Sequence, residues 1–300
     1  MAILLDEKKK VLVQGITGRE GSLRTRYMLE YGTNVIAGVT PGRGGEKVWG
    51  VPVYNTIEEA IENHGKFDVS VMFVPGLFAK EAAFEAIDAR IEFIIMPIER
   101  VPLHHILEII AYARRKGVKI LGPGSFGIIS PGKAVAGWIG GSVELANECF
   151  IPGPVGVISR SGGQTTTICW ALAQRGIGVS TALHVGAEPI VGLSITELLE
   201  LFEKDPETKL VVIFGEIGTV AEEEAAEFIK SGGFTKPVIA YIAGRTAQTG
   251  IRYSHASAII TMGRGSAESK IKALKEAGAI IVDRIEKIPQ IVEDTLKEVS

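Results

Sequence analysis

Residues 252–260 read RYSHASAII, so one imidazole, His255, stands among small residues immediately before an apolar run. Neutral imidazole is a good nucleophile near neutral pH, and a phosphorylated imidazole is labile enough to pass its group on. A lone histidine is more commonly a hydrogen-bonded structural residue. From the residues alone that role stands open for His255, and it is the reading for His64, His104, His105 and His184.

Two other stretches carry chemistry. In GVISRSGGQTTT a strand is predicted to end at Ser159 and a helix to begin just after the turn Arg160-Ser161-Gly162-Gly163. Free amides and a helix dipole then converge on one point, so Ser161, Gly162 and Gly163 are candidate phosphate ligands. A plain glycine turn capping a helix is the alternative. In VVIFGEIG an apolar strand ends on Glu216, at the carboxyl edge where α/β sheets bind ligands. The acids of the following AEEEAAEF read as a solvated helix start favoured by the dipole.

Near the N-terminus, VLVQGITGREGS spaces Gly15, Gly18 and Gly21 between a strand and a helix, where bare amides approach a phosphate closely. An NAD site usually has an acid at the end of the next strand. Here the first charge after it is Arg43, in GVTPGRGGEK, which favours a phosphorylated ribose, as in NADP or coenzyme A.

These segments need a scaffold, and its pattern is regular. KVLVQGIT, TNVIAGVTP, VSVMFVPG, FIIMPI and VKILGPG read as buried parallel strands alternating with helical segments. The pattern then restarts with GPVGVISRSGG, GVSTALHVGAE, KLVVIFGEIG, KPVIAYIAGR and AIIVDRI. Between the two series lies LGPGSFGIISPGKAVAGWIGG, rich in Gly and Pro. The expectation is two α/β domains, 1–125 Rossmann-like and 126–300 flavodoxin-like, as suits 300 residues. A net charge of -3 with interspersed signs argues against nucleic acid or an anionic membrane as partner. Cys149 and Cys169 lack metal or disulfide spacing and read as core thiols, and the short apolar N-terminus suits neither signal nor span, so a cytoplasmic protein is expected.

The series QGITGREG, GVTPGRGG, LGPGSFGIISPG, GVISRSGG, GEIGTVAEEEAA, KPVIAYIAGRTA and SHASAII, in that order, resembles the α subunit of the succinyl-CoA synthetase family over essentially the whole chain. The resemblance implies an NDP-forming carboxylic acid–CoA ligase subunit. It places coenzyme A at Thr17, Gly18, Arg19, Glu20 and Gly21, at Arg43, and along Val74, Pro75, Pro97 and Ile98. It makes His255 the phosphoryl carrier, Glu216 its orienting carboxylate and Glu99 a second acid near it, with the phosphate held by Ser161, Gly162 and Gly163. It assigns ATP or GTP and Mg²⁺ to a separate β subunit with an ATP-grasp domain, in an αβ or α2β2 assembly, and no metal to this chain.

Departures cluster where the small carboxylic acid would bind. Gly124, Ser125 and Phe126 replace the family's Asn, Cys and Pro, Thr166 replaces a tyrosine, and Ser254 and Ser257 replace glycines beside the histidine. SRSGG and the missing tyrosine resemble the citrate-activating enzymes, citryl-CoA synthetase and ATP-citrate lyase. Succinate is the default acid and citrate the alternative. A non-catalytic coenzyme A-binding protein and an NADP-dependent oxidoreductase are the other classes to separate.

Overall fold

A computed structural model of the chain describes residues 2–246 and 265–299. The first part runs β1 (Val11–Gln14), α1 (Arg19–Tyr31), β2 (Val35–Val39), β3 (Lys47–Val48), β4 (Val51–Tyr54), α2 (Ile57–His64), β5 (Val69–Met72), α3 (Ala79–Asp88), β6 (Phe93–Ile95), α4 (Leu103–Lys116) and β7 (Lys119–Leu121). Its sheet has the order β3-β4-β2-β1-β5-β6-β7, parallel except for the β3–β4 hairpin. The strands β1, β5 and β6 are buried at every position, as unbroken apolar runs flanked by helices must be.

The chain then enters a second sheet through β8 (Gly127–Ser130) and β9 (Ala134–Gly137), followed by α5 (Val143–Cys149), β10 (Pro152–Ser159), α6 (Gly162–Ala173), β11 (Val179–His184), α7 (Ile195–Lys204), β12 (Leu210–Gly215), α8 (Ala221–Lys230), β13 (Val238–Ile242), α9 (Ala267–Glu276), β14 (Ile280–Ile281) and α10 (Ile288–Val299). The order is β14-β13-β12-β10-β11-β8-β9, with the hairpin β8–β9 antiparallel to β11. Helix starts follow their caps. Thr56, Ser142, Ser161 and Ser194 each accept an amide of the first turn, and Ser194 with Glu197 forms a reciprocal capping box. Among the described residues no helix is long and apolar enough to cross a membrane.

One core runs through both sheets. It joins Val13, Ile16 and Met28 to Ile139, Phe150 and Val157, while the opposite face of the first sheet has a separate cluster around Leu12, Ile87 and Ile109. Polar stitches cross the same seam. Tyr27 donates its hydroxyl to the carbonyl of Ile139 at 2.5 Å, and Thr33 donates to Val135 at 2.7 Å. Burial pushes the Tyr27 hydroxyl well above the usual tyrosine range, so it stays a neutral donor. Cys149 and Cys169 are buried free thiols whose pKa burial raises.

One sequence expectation is overturned here. Glu222 and Glu223 of AEEEAAEF are buried, Glu222 completely, and only Glu224 and Glu227 face solvent. Lys270 of α9, also fully buried, forms an ion pair with Glu222, a contact that a reading of local helix dipoles does not anticipate.

Candidate functional site

Each sheet carries a cleft at the carboxyl ends of its central strands, where neighbouring strands lead to connections on opposite sides. The first, of about 520 Å³, lies over the exits of β1, β2 and β5. Gly15 there has a φ of +76°, and a Cβ on it would stand 2.3 Å from the Phe73 carbonyl oxygen. Gly21 is pressed as closely on the same crook, its virtual Cβ 2.1 Å from the Gly15 oxygen. Gly18 caps α1 without any side-chain hydrogen bond, so the first-turn amides of α1 receive no cap from that position. The walls are largely apolar: Phe73, Val74, Pro75 and Phe78, with Thr17 and Gly18 at the glycine end.

Of the residues expected here, Thr17, Gly18, Val74 and Pro75 line the cleft. Arg19 and Glu20 are exposed on the first turn of α1, where Glu20 pairs with Arg24. Pro97 and Ile98 are buried at the exit of β6 and do not line it. Arg43 is exposed in its loop and turns its guanidinium onto Glu46, which accepts from both Nε and Nη2. That pair holds the Glu46 carboxyl below the usual carboxylate range.

The second cleft, of about 430 Å³, is built from both halves of the chain. Glu99 and Arg100 come from the exit of β6, Gly124 and Phe126 from the connection, Ser161, Gly162 and Gly163 from the β10–α6 turn, and His184 and Glu188 from the end of β11. The turn forms because Ser159 locks it: its hydroxyl donates to the Ser161 carbonyl at 2.8 Å and accepts the Ser161 amide at 3.0 Å. Gly162 must lack a side chain, since a Cβ would fall 2.3 Å from the Phe126 ring. Gly163 faces open space. The Phe126 ring sits edge-on to both Trp138 and His184.

Beneath the turn lies Arg160, which sequence reasoning passed over. Its side chain is almost wholly buried, with Nη2 at 3.3 Å from the Glu188 carbonyl and 3.6 Å from a carboxylate oxygen of Glu216. Its Nε has no hydrogen-bond partner among the described residues. An arginine placed directly after an apolar strand was the available signal. His184 is held as a structural histidine should be: Nδ1 accepts the Phe126 amide at 2.9 Å and Nε2 lies 3.1 Å from the Arg160 carbonyl. The two contacts select the tautomer with the proton on Nε2.

The expected acid-site residues divide. Gly124 and Phe126 line the cleft, but Ser125 is fully buried, its hydroxyl held between the His184 carbonyl and the Gly127 amide. Thr166 lies half-buried on α6 and does not line the cleft. His255, Ser254 and Ser257 lie outside the described residues.

Comparison with known proteins agrees with this division into two sheets. Residues 6–98 match the CoA binding domain family, and residues 152–293 match the family described as succinyl-CoA ligase like flavodoxin domain. The chain is 46% identical to succinate–CoA ligase [ADP-forming] subunit alpha 1 of Archaeoglobus fulgidus, over 100% of this chain and 97% of that one. It is 43% identical to the ADP-forming sulfoacetate–CoA ligase subunit SqwL of an Acholeplasma species, over 98% of both. Among solved structures, ATP citrate lyase from Methanothrix soehngenii, in complex with citrate and coenzyme A, superposes with a TM-score of 0.91 at 23% identity. The match covers 99% of this chain and 51% of that one, and at that identity it speaks for the fold.

Proposed function

This chain belongs to the family of succinate–CoA ligase α subunits, and from that premise we propose that it binds coenzyme A in the first cleft and carries a phosphoryl group on His255 beside the second. Its activity is the α subunit's part in an NDP-forming carboxylic acid–CoA ligase. The first cleft suits coenzyme A. Close-packed glycines let a phosphate reach the start of α1, and the apolar wall of Val74 and Pro75 can take the uncharged arm. Coenzyme A supplies the thiol that finally takes the acyl group. Arg43 reaches its phosphates only by leaving Glu46. Exposed pairs of this kind contribute little, so a multiply charged phosphate competes well for the guanidinium.

In the second cleft His255 accepts the terminal phosphoryl group of a nucleoside triphosphate held by the β subunit, releasing the diphosphate. The acid's carboxylate then attacks that phosphorus, freeing the imidazole and forming an acyl phosphate. Thiol attack on the acyl carbon expels inorganic phosphate. Gly162 and Gly163 hold the phosphoryl oxygens through amides at the start of α6 and Ser161 through its hydroxyl, Arg160 adds a buried positive charge beneath them, and Glu216 balances the imidazolium that develops. Glu99, on the rim of the same cleft, is the second acid.

The observation that carries this reading is the turn itself: bare glycine amides over a buried guanidinium that faces a carboxylate at 3.6 Å. The test uses the chain reconstituted with its ATP-grasp β subunit and Mg²⁺. Labelled ATP should leave acid-labile, base-stable phosphate on the wild-type chain and none on H255N. No label on the wild type would instead mark a non-catalytic coenzyme A-binding protein. Succinate is placed first as the acid because the 46% identical relatives carry that name. Citrate and sulfoacetate belong in the same coupled assay, where faster thioester formation with either would displace succinate.

A further inference from the structure

The segment from Glu216 to Gly218 joins β12 to α8 and is held by a pair of side chains that do not touch the cleft. Lys270 Nζ donates to the carbonyls of Glu216 at 2.8 Å and Gly218 at 2.6 Å, and to the carboxylate of Glu222. The other Glu222 oxygen accepts the amide of Glu216 at 3.1 Å. One buried Lys–Glu pair therefore grips both the N–H and the C=O of Glu216. With the peptides on either side pinned, the Glu216 side chain leaves the backbone in a set direction, toward Arg160.

The same cluster also holds Gly265. Its carbonyl accepts from the Gly218 amide at 2.7 Å and its amide donates to Glu223 at 2.9 Å. Glu223 also accepts from the Ser269 hydroxyl on α9 at 2.8 Å. Gly215, just before Glu216, has no room for a side chain because its Cβ would meet Glu222 at 2.6 Å.

A fully buried ion pair is a poor way to add stability, since desolvating both charges offsets most of their attraction, and apolar residues of similar size often serve as well. The bonds made by this pair point to another use. We propose that Lys270, with Glu222, is a positioning residue of the phosphoryl relay: it fixes the Glu216 peptide and with it the direction in which the Glu216 carboxylate is presented. This rests on the reading that His255 is phosphorylated and that Glu216 serves it.

The test is a double-mutant cycle in the reconstituted αβ complex. K270M alone would strand a buried carboxylate, so the paired change K270M/E222Q is used; its amide oxygen can still accept from Glu216 N–H. The cycle compares wild type, E216Q, K270M/E222Q and the triple variant in single-turnover labelling from ATP. The paired variant should fold, bind coenzyme A within twofold of wild type, and label slower by up to about 100-fold, the cost of a small misplacement of a catalytic group. Its kcat should fall while KM for coenzyme A holds. In its background E216Q should add little, because both changes remove the same service, whereas a purely structural role gives independent, multiplicative losses. Wild-type labelling rates in the folded paired variant, or full multiplicativity with E216Q, would overturn the proposal. Absence of label on the wild type would instead overturn the phosphohistidine reading and the proposal with it. If K270M/E222Q does not fold, E222D replaces it in the same cycle, since the shorter carboxylate releases the Glu216 amide while keeping a charge opposite Lys270.

Discussion

The turns after β1 and after β10 are the same unit, a buried parallel strand delivering a glycine-rich bend to a helix N-terminus, yet they differ in what surrounds the amides. At the first, a glycine caps α1 and apolar side chains form the walls, so the amides meet the ligand with no formal charge built into the bend. At the second, a serine caps α6 and a buried arginine lies below, facing a buried glutamate. The first arrangement suits a long ligand that brings its own charge and stays whole. The second suits a dianion that must be stabilised while bonds to it form and break. The fold supplies the amides in both cases; the residue at the strand exit decides the chemistry.

The comparison is broken most severely through Arg160. Arg160→Met removes one side of a buried ion pair, a change that costs about 3 kcal/mol or more, so denaturant unfolding should shift strongly and labelling of the chain should be lost. Coenzyme A binding to whatever remains folded should be close to normal, because the first cleft is elsewhere. Gly21→Ala should do the reverse. Its methyl would press on the Gly15 carbonyl, at a cost of about 1–3 kcal/mol of stability and much of the coenzyme A affinity, measured by thermal melting and calorimetric titration.

Gly163→Ala sharpens the contrast without breaking the fold. Its Cβ meets nothing within 4 Å, so stability should stay within about 0.5 kcal/mol while labelling falls, the methyl occupying space meant for phosphoryl oxygens. Arg43→Ala should leave melting unchanged and weaken coenzyme A several-fold, with the deficit shrinking as salt is added. Glu46→Gln should tighten binding slightly by freeing the guanidinium.

Glu85 gives the smallest effect. It borders the first cleft, accepts the Ile57 amide, and burial raises its carboxyl above the usual range. The folded state then keeps that proton to higher pH than the unfolded chain does. Its contribution to stability is fullest below the unfolded pKa and is lost as pH rises through the folded one. Glu85→Gln should therefore melt relatively better than wild type at neutral pH than in acid. A constant difference across that range would remove the argument.

Much of this was legible along the chain. The runs KVLVQGIT and KLVVIFGEIG are strands because continuous apolar β-branched residues can be satisfied only between two layers of helices. Ser161 was readable as a cap because serine before a glycine-led helix has a local reason to be there. The one overturned reading failed because of a partner distant in sequence. Glu222 reads as a surface acid until Lys270 arrives from α9. Thr166, matched by position to a substrate contact, is half-buried on α6 and is not among the residues lining the cleft.

Local physics, then, was enough to settle where strands end and which glycine turns lead into helices, since each depends on neighbours a few residues away; His255 as the nucleophile rests on the family resemblance. Only the folded chain decided that Glu99 and the Ser161 turn share a cleft, that Arg160 lies buried against Glu216, and that Lys270 clamps the loop between them. Those contacts bring together elements tens of residues apart, and their energies depend on burial, which no stretch of sequence acquires until the two sheets close over a common core.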